Sequence, residues 1–157
     1  MIDNSFLSYV VLALTASILF YAAFADLRDF KIRNELVIIV GLLFFVYAGL
    51  AGQWTRIPWN IGLASLVLAV LLLFYSWGHV GGGDVKMLTV AFLWTGIDCA
   101  FAFSLLLLVF AMLHLGAAKF GLAKVVRLES EGRMRIPFAP SIAAALMGVF
   151  VLGCVIG

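Results

Sequence analysis

Gly81-Gly82-Gly83-Asp84-Val85-Lys86 sets three glycines, a carboxylate and a lysine between two strongly apolar runs. Upstream, about 60–77 is dense in Leu and Val, enough for a membrane crossing. Downstream, 85–97 is apolar but short. Thirteen helical residues rise only about 20 Å, against a hydrocarbon core of roughly 30 Å. If that run crosses, the motif at its start lies below the membrane surface. Glycine-rich backbone cannot face lipid with its polar groups unpaired, so a protein-lined or watery cleft is expected there.

The rest of the chain agrees with this setting. Of its 157 residues, 66% are hydrophobic and 11% charged, whereas soluble domains carry about 25% charged residues. The reading is an all-α, polytopic membrane protein of about six transmembrane helices, the short fourth one following the glycine motif. The spans are expected near 6–25, 36–51, 60–77, 85–97, 100–118 and 138–156, as one domain over 1–157. The polar connections 26–35, 78–84 and 119–136 then share one side. All the Lys and Arg residues but Arg56 fall on that side, and by the positive-inside rule it is cytoplasmic, with both termini outside. Met1-Ile2-Asp3-Asn4 has no basic residue ahead of the first run, so that run is expected to be a retained span and not a cleaved signal. Over 119–135, Lys119, Lys124 and Arg127 fall on one side of a helix and Leu122, Val125, Val126 and Leu128 on the other, which suggests an interfacial amphipathic helix against anionic lipid. Cys99 and Cys154 are far apart in sequence and read as unpaired packing residues. No metal-ligand spacing occurs.

Two acidic residues stand out, both at cytoplasmic junctions. Asp84 follows the glycines at the expected start of a helix, where the dipole favours a carboxylate. Asp26 opens Asp26-Leu27-Arg28-Asp29-Phe30-Lys31-Ile32-Arg33-Asn34, at the end of the first run. A juxtamembrane Asp ordinarily marks only where a helix leaves the bilayer, and Asp29 and Asp98 read that way. Two facing carboxylates do more. They share a proton, so that one activates water while the other polarises a scissile carbonyl. Such a dyad needs no metal and no cofactor, and the sequence offers no rival Gly-x-Ser-x-Gly or His-Glu-x-x-His constellation.

The motif resembles the Gly-x-Gly-Asp signature of membrane aspartic peptidases, in the Gly-Gly-Gly-Asp-Val/Ile-Lys form of the type IV prepilin peptidases. Asp26 with Ile32-x-Asn34 resembles that family's first active-site segment, and Ile136-Pro137-Phe138-Ala139-Pro140 the segment that opens its last helix. Arg33 stands where the family has Pro, which predicts a less rigid loop, and Ala139 where it has Gly. The short length points to the Flp/Tad (CpaA/TadV-like) branch. Longer members carry an N-terminal cytoplasmic part with paired cysteines associated with N-methylation, so peptidase activity alone is expected here.

The resemblance implies catalytic Asp26 and Asp84, with Gly81, Gly82, Gly83, Lys86, Asn34 and Pro137 positioning the motif or the substrate. The glycines would lend flexibility for an extended substrate, and glycines also let another chain approach closely. Lys86 would point roughly 200° away from Asp84 on a helix and take no part in proton transfer. The implied partners are membrane lipids and a prepilin or pseudopilin with a short basic leader, cut at the cytoplasmic face of the bacterial inner membrane. No nucleic acid is implied, and the oligomeric state is open. Other Gly-x-Gly-Asp proteases, of the presenilin or signal-peptide-peptidase kind, place the first Asp in a Tyr-Asp pair, whereas Asp26 follows Ala25. A non-enzymatic transporter or scaffold is the remaining alternative. His79 reads as interfacial, His114 as an interhelical hydrogen-bonding group within the fifth span, and Trp54, Trp59, Trp77 and Trp94 as belt and packing residues.

Overall fold

The computed structural model describes residues 4–29, 32–120, 126–127, 134–135 and 138–155. Helices dominate: α1 (Asn4–Asp29), α2 (Asn34–Leu50), α3 (Ile57–Ser76), α4 (Gly82–Lys119) and α5 (Ala139–Val151). α1, α3 and α4 are long and apolar enough to cross a membrane, and α2 and α5 are shorter apolar helices. Leu66, Leu72, Leu73, Phe101, Leu108 and Leu113 stand exposed on their surfaces. So much outward apolar surface suits lipid and not water. This is a membrane protein.

α3 buries only Ala64, so it lies at the rim of the bundle, apolar all round. α5 is the opposite case. It buries Ala139, Ser141, Ile142, Ala143, Ala145, Leu146, Val149 and Phe150. Its 13 residues rise about 20 Å, and other helices surround it. α5 packs on α1 and α4, α2 lies against α1 and α4, and α3 packs on α4.

α4 is two helical limbs. Gly96, at φ 56° and ψ −167°, interrupts it, a conformation essentially reserved for glycine. Eleven residues of continuous helix would separate Phe92 from Phe103 by about 16 Å, yet their ring centroids are 5.1 Å apart. The chain folds back at Gly96. Asn60, whose amide donates to the Leu93 carbonyl at 3.1 Å, fills the space where a Cβ on Gly96 would project, with its Cγ only 2.7 Å away. Gly96→Ala is therefore expected to destabilise the protein by about 1–3 kcal/mol, read as a lower unfolding temperature in detergent. Unchanged stability would contradict this turn.

The fold-back sets up two ends. At the far end lie the α1 start, the α2–α3 turn, Gly96 and the α5 terminus. Tyr47 and Gln53 donate to the Val155 carbonyl at 3.0 and 3.1 Å, and Arg56 meets Asp98 at 3.8 Å. Trp94 is buried, donates its indole N–H to the Val40 carbonyl at 2.9 Å and packs its ring near Phe44, Tyr47 and Phe150. It is a core residue, whereas Trp54, Trp59 and Trp77 are exposed. Cys99 and Cys154 were expected to be unpaired, but they form a disulfide here, with Cα atoms 6.0 Å apart. Their separation of 55 residues hid a proximity that only the fold-back creates.

Several boundaries move. α1 runs on through Asp29, so Asp26 sits in its last turns and not in a loop, and α4 starts at Gly82, inside the expected connection 78–84. Within 119–135 the expected amphipathic helix is not seen among the described residues. α4 ends at Lys119, and Val126–Arg127 pairs antiparallel with Met134–Arg135 in a two-residue ladder. Residues 121–125 and 128–133, with Lys124, Leu122 and Arg133, lie outside the described residues, as does Pro137.

Candidate active site

The near end gathers the close of α1, the start of α2, the close of α3, both termini of α4 and the start of α5. Asp26 is buried, at 6% exposure, and its Oδ2 accepts the backbone N–H of Ala139 at 3.2 Å. The first turn of α5 explains why. Phe138, at the N-cap, has no side chain able to cap the helix, Pro140 has no N–H, and Ser141 donates its N–H to the Phe138 carbonyl. The Ala139 N–H is the one that needs an outside acceptor. Asp26 supplies it from another helix, and the positive end of the α5 dipole faces the carboxylate in return. Ala139 is helical, so the side chain in place of the family's Gly asks for no special backbone freedom.

Asp84 lies in the first turn of α4 and is partly buried. Val85 N–H donates to the Gly81 carbonyl, and the Asp84 carboxylate folds back over Gly81. A Cβ on Gly81 would lie 3.0 Å from Oδ2, one on Gly82 would lie 3.4 Å from the Tyr75 ring, and one on Gly83 would lie 3.2 Å from Ile32 Cδ1. None of the three has a positive φ. Of the two reasons expected for these glycines, flexibility and close approach, the packing displays the second: Gly81 makes room for the carboxylate, Gly82 for α3, and Gly83 for the α1–α2 connection.

That connection ties the two acidic segments together. Ile32 packs on Gly83, and Lys86 Nζ donates to Asn34 Oδ1 at 2.8 Å. Lys86 and Asn34, fifty-two positions apart, thus form a cross-link between the strand of chain after Asp26 and the helix that carries Asp84. Asp26 and Asp84 stand at the same end of the bundle, on different helices. His114, from the second limb of α4, reaches Ser141 with Nδ1 3.4 Å from its Oγ, the interhelical bond expected of it, and lies within electrostatic range of Asp26. Sequence reasoning did not connect His114, Ser141 or the Ala139 amide with Asp26. The only hint was a histidine in an otherwise apolar run. His79 sits apart, its ring 6.4 Å from that of Trp77. Among the described residues no group of His, Cys, Asp and Glu is arranged to hold a metal ion.

Arg33, which replaces the family's proline, has φ −70° and ψ 131°. That φ is the one a proline ring imposes. Arg33→Pro is therefore expected to leave stability within about 1 kcal/mol, the entropic gain offsetting loss of the exposed Arg33–Glu35 pair. A melting point lowered by many degrees would show that the loop needs the arginine.

Residues 13–119 match the type IV leader peptidase family model, an interval that contains both aspartates and the glycine motif. The chain belongs to the type IV leader peptidase family. A protein of Bacillus subtilis (strain 168) named prepilin leader peptidase/N-methyltransferase is 29% identical over 144 residues, covering 87% of this chain and 53% of that protein. The chain thus spans about half the length of this curated relative. No solved structure matches it significantly.

Proposed function

We propose that this member of the type IV leader peptidase family is an aspartic endopeptidase that removes the short leader of Flp-like prepilins or pseudopilins. Asp26 and Asp84 act as the dyad: one, ionised, takes a proton from water, and the other, protonated, polarises the scissile carbonyl and stabilises the oxyanion that forms. The observation that carries this reading is the gathering of both aspartates, with the glycine motif, at one end of an apolar helical bundle. Ala139 and the α5 dipole hold Asp26, and the Lys86–Asn34 bond holds the two segments in register.

The reading counts the limbs of α4 as separate crossings, six in all, in a bacterial inner membrane. It sets the near end on the cytoplasmic side and both termini outside. Charge supports that orientation: Arg28, Arg33, Lys86 and Lys119 sit at the near end, and Arg56 at the far end. Peptide hydrolysis alone is assigned to these residues. The relative's second printed activity, N-methyl transfer, is not, and the two cysteines of this chain are bonded to each other at the opposite end.

The test is reconstitution of the purified protein in vesicles with a Flp-type prepilin and S-adenosylmethionine, followed by mass spectrometry of the product. The expected product lacks the leader and has an unmodified new N-terminus. An added methyl group would refute the assignment to peptidase alone, and an intact precursor would refute the peptidase.

A further inference from the structure

Beside Asp26 a cleft of about 670 Å³ opens between α1 and the second limb of α4, floored by α5. α1 and α4 make little direct contact, and α5 bridges them. Phe24 and Leu27 of α1 line one wall, Phe110 and Leu113 of α4 the other, and Ser141 and Ala144 the floor. Phe24 and Leu27 flank Asp26 in sequence, and Ser141 lies two residues beyond the Ala139 amide that holds it. Asp26 itself is nearly inaccessible, so a peptide bond must reach it through an adjoining space, and this cleft borders it from both α1 and α5.

The cleft also carries an unmet polar demand. His114 lines it, and while Nδ1 faces Ser141, the buried Nε2 has no hydrogen-bond partner among the described residues. A buried polar nitrogen without a partner costs about 1–3 kcal/mol. Nε2 is inaccessible in this arrangement, so a partner reaches it only when the ring turns into the cleft, and an acyl chain offers nothing to bond it. A peptide backbone can satisfy it, most readily where a helix has been unwound and its carbonyls are free.

We propose that this cleft receives the apolar membrane helix of the protein substrate, with His114 hydrogen-bonding the backbone freed where that helix unwinds beside Asp26. The proposal rests on the peptidase reading above and adds where the substrate lies. Ala144 and Ala117, small side chains in the lining, leave room for a helix to approach closely. His114 serves as a binding residue, with no step of proton transfer assigned to it.

The probe is a synthetic peptide comprising a Flp-type leader and the apolar helix behind it, offered to the protein in vesicles. A photo-crosslinking amino acid at Leu113 is expected to capture the peptide, and the same label at Leu72, on the lipid-facing rim of α3, is not. Ala144→Leu, which narrows the cleft, is expected to raise KM several-fold with kcat little changed. His114→Ala is expected to lower kcat/KM roughly tenfold, the size of one hydrogen bond, and His114→Gln to recover most of it. If wild type cuts the peptide but the Leu113 label captures only lipid, or both labels capture it equally, the cleft is not the docking site. The cleft is equally ruled out if Ala144→Leu leaves KM unmoved while folding normally. If wild type does not cut the peptide at all, the peptidase reading fails first.

Discussion

Asp26→Asn and Asp84→Asn are each expected to lower prepilin cleavage by about 10³-fold or more while the protein still assembles in the membrane. General acid–base groups contribute about 10²–10⁴-fold each, and groups that act as a unit lose nearly everything with the first substitution. The double variant should therefore be no slower than either single one. Asparagine isolates chemistry from folding at both positions. At Asp26 its carbonyl oxygen still accepts the Ala139 N–H, so the start of α5 stays capped, whereas Asp26→Ala would remove the acceptor at a cost of about 0.5–2 kcal/mol. At Asp84 the change removes a charge from the first turn of α4, worth only about 0.3–1 kcal/mol. Co-expression with a Flp-type prepilin, read as a gel shift, gives the answer. Cutting at the wild-type rate by either variant would make that aspartate structural and overturn the dyad.

Much of this was legible because membrane folds write their constraints plainly. The apolar runs marked nearly every helix, since lipid demands continuous apolar stretches with all backbone groups paired inside. The short run after Asp84 announced its shortness correctly. What no local pattern carried was the consequence of folding back at Gly96. That single glycine brings Phe92 to Phe103, Cys99 towards Cys154 and His114 towards Ser141, contacts between residues that look unrelated along the chain. The motif glycines were legible as places of close approach, but their neighbours were not, for a related reason: Tyr75 and Ile32 become neighbours only when α3 and the α1–α2 connection dock. The role of Ala139 was hidden too, because it is a backbone amide whose need for an acceptor depends on Phe138 and Pro140 beside it.

The second large effect concerns the far end. In unreduced membranes Cys99 and Cys154 are expected to resist a maleimide-polyethylene glycol reagent even after solubilisation, and each to take one adduct after reduction. Disulfides persist where the compartment is oxidising and are rare in the cytosol, so the bond is a measure of orientation independent of charge. It sits with Arg56 and Asp98, opposite the aspartates. If the near end is cytoplasmic, as its basic residues argue, the far end lies where such bonds survive. The bond joins the segment just after the Gly96 turn to the end of α5, closing a loop of 55 residues. For a freely coiled chain that closure would contribute about 4 kcal/mol. Helices that stay formed in the bilayer have less freedom to lose, so Cys99→Ser should cost less than this but still lower the unfolding temperature clearly. Because α5 carries the Ala139 amide at its other end, loosening its terminus is also expected to reduce cleavage, by far less than Asp26→Asn does. Thiols found free in native membranes and labelled from the cytoplasmic side would overturn both the bond and the orientation, and would leave the far end of α5 to its packing and to the bonds of Tyr47 and Gln53 to Val155.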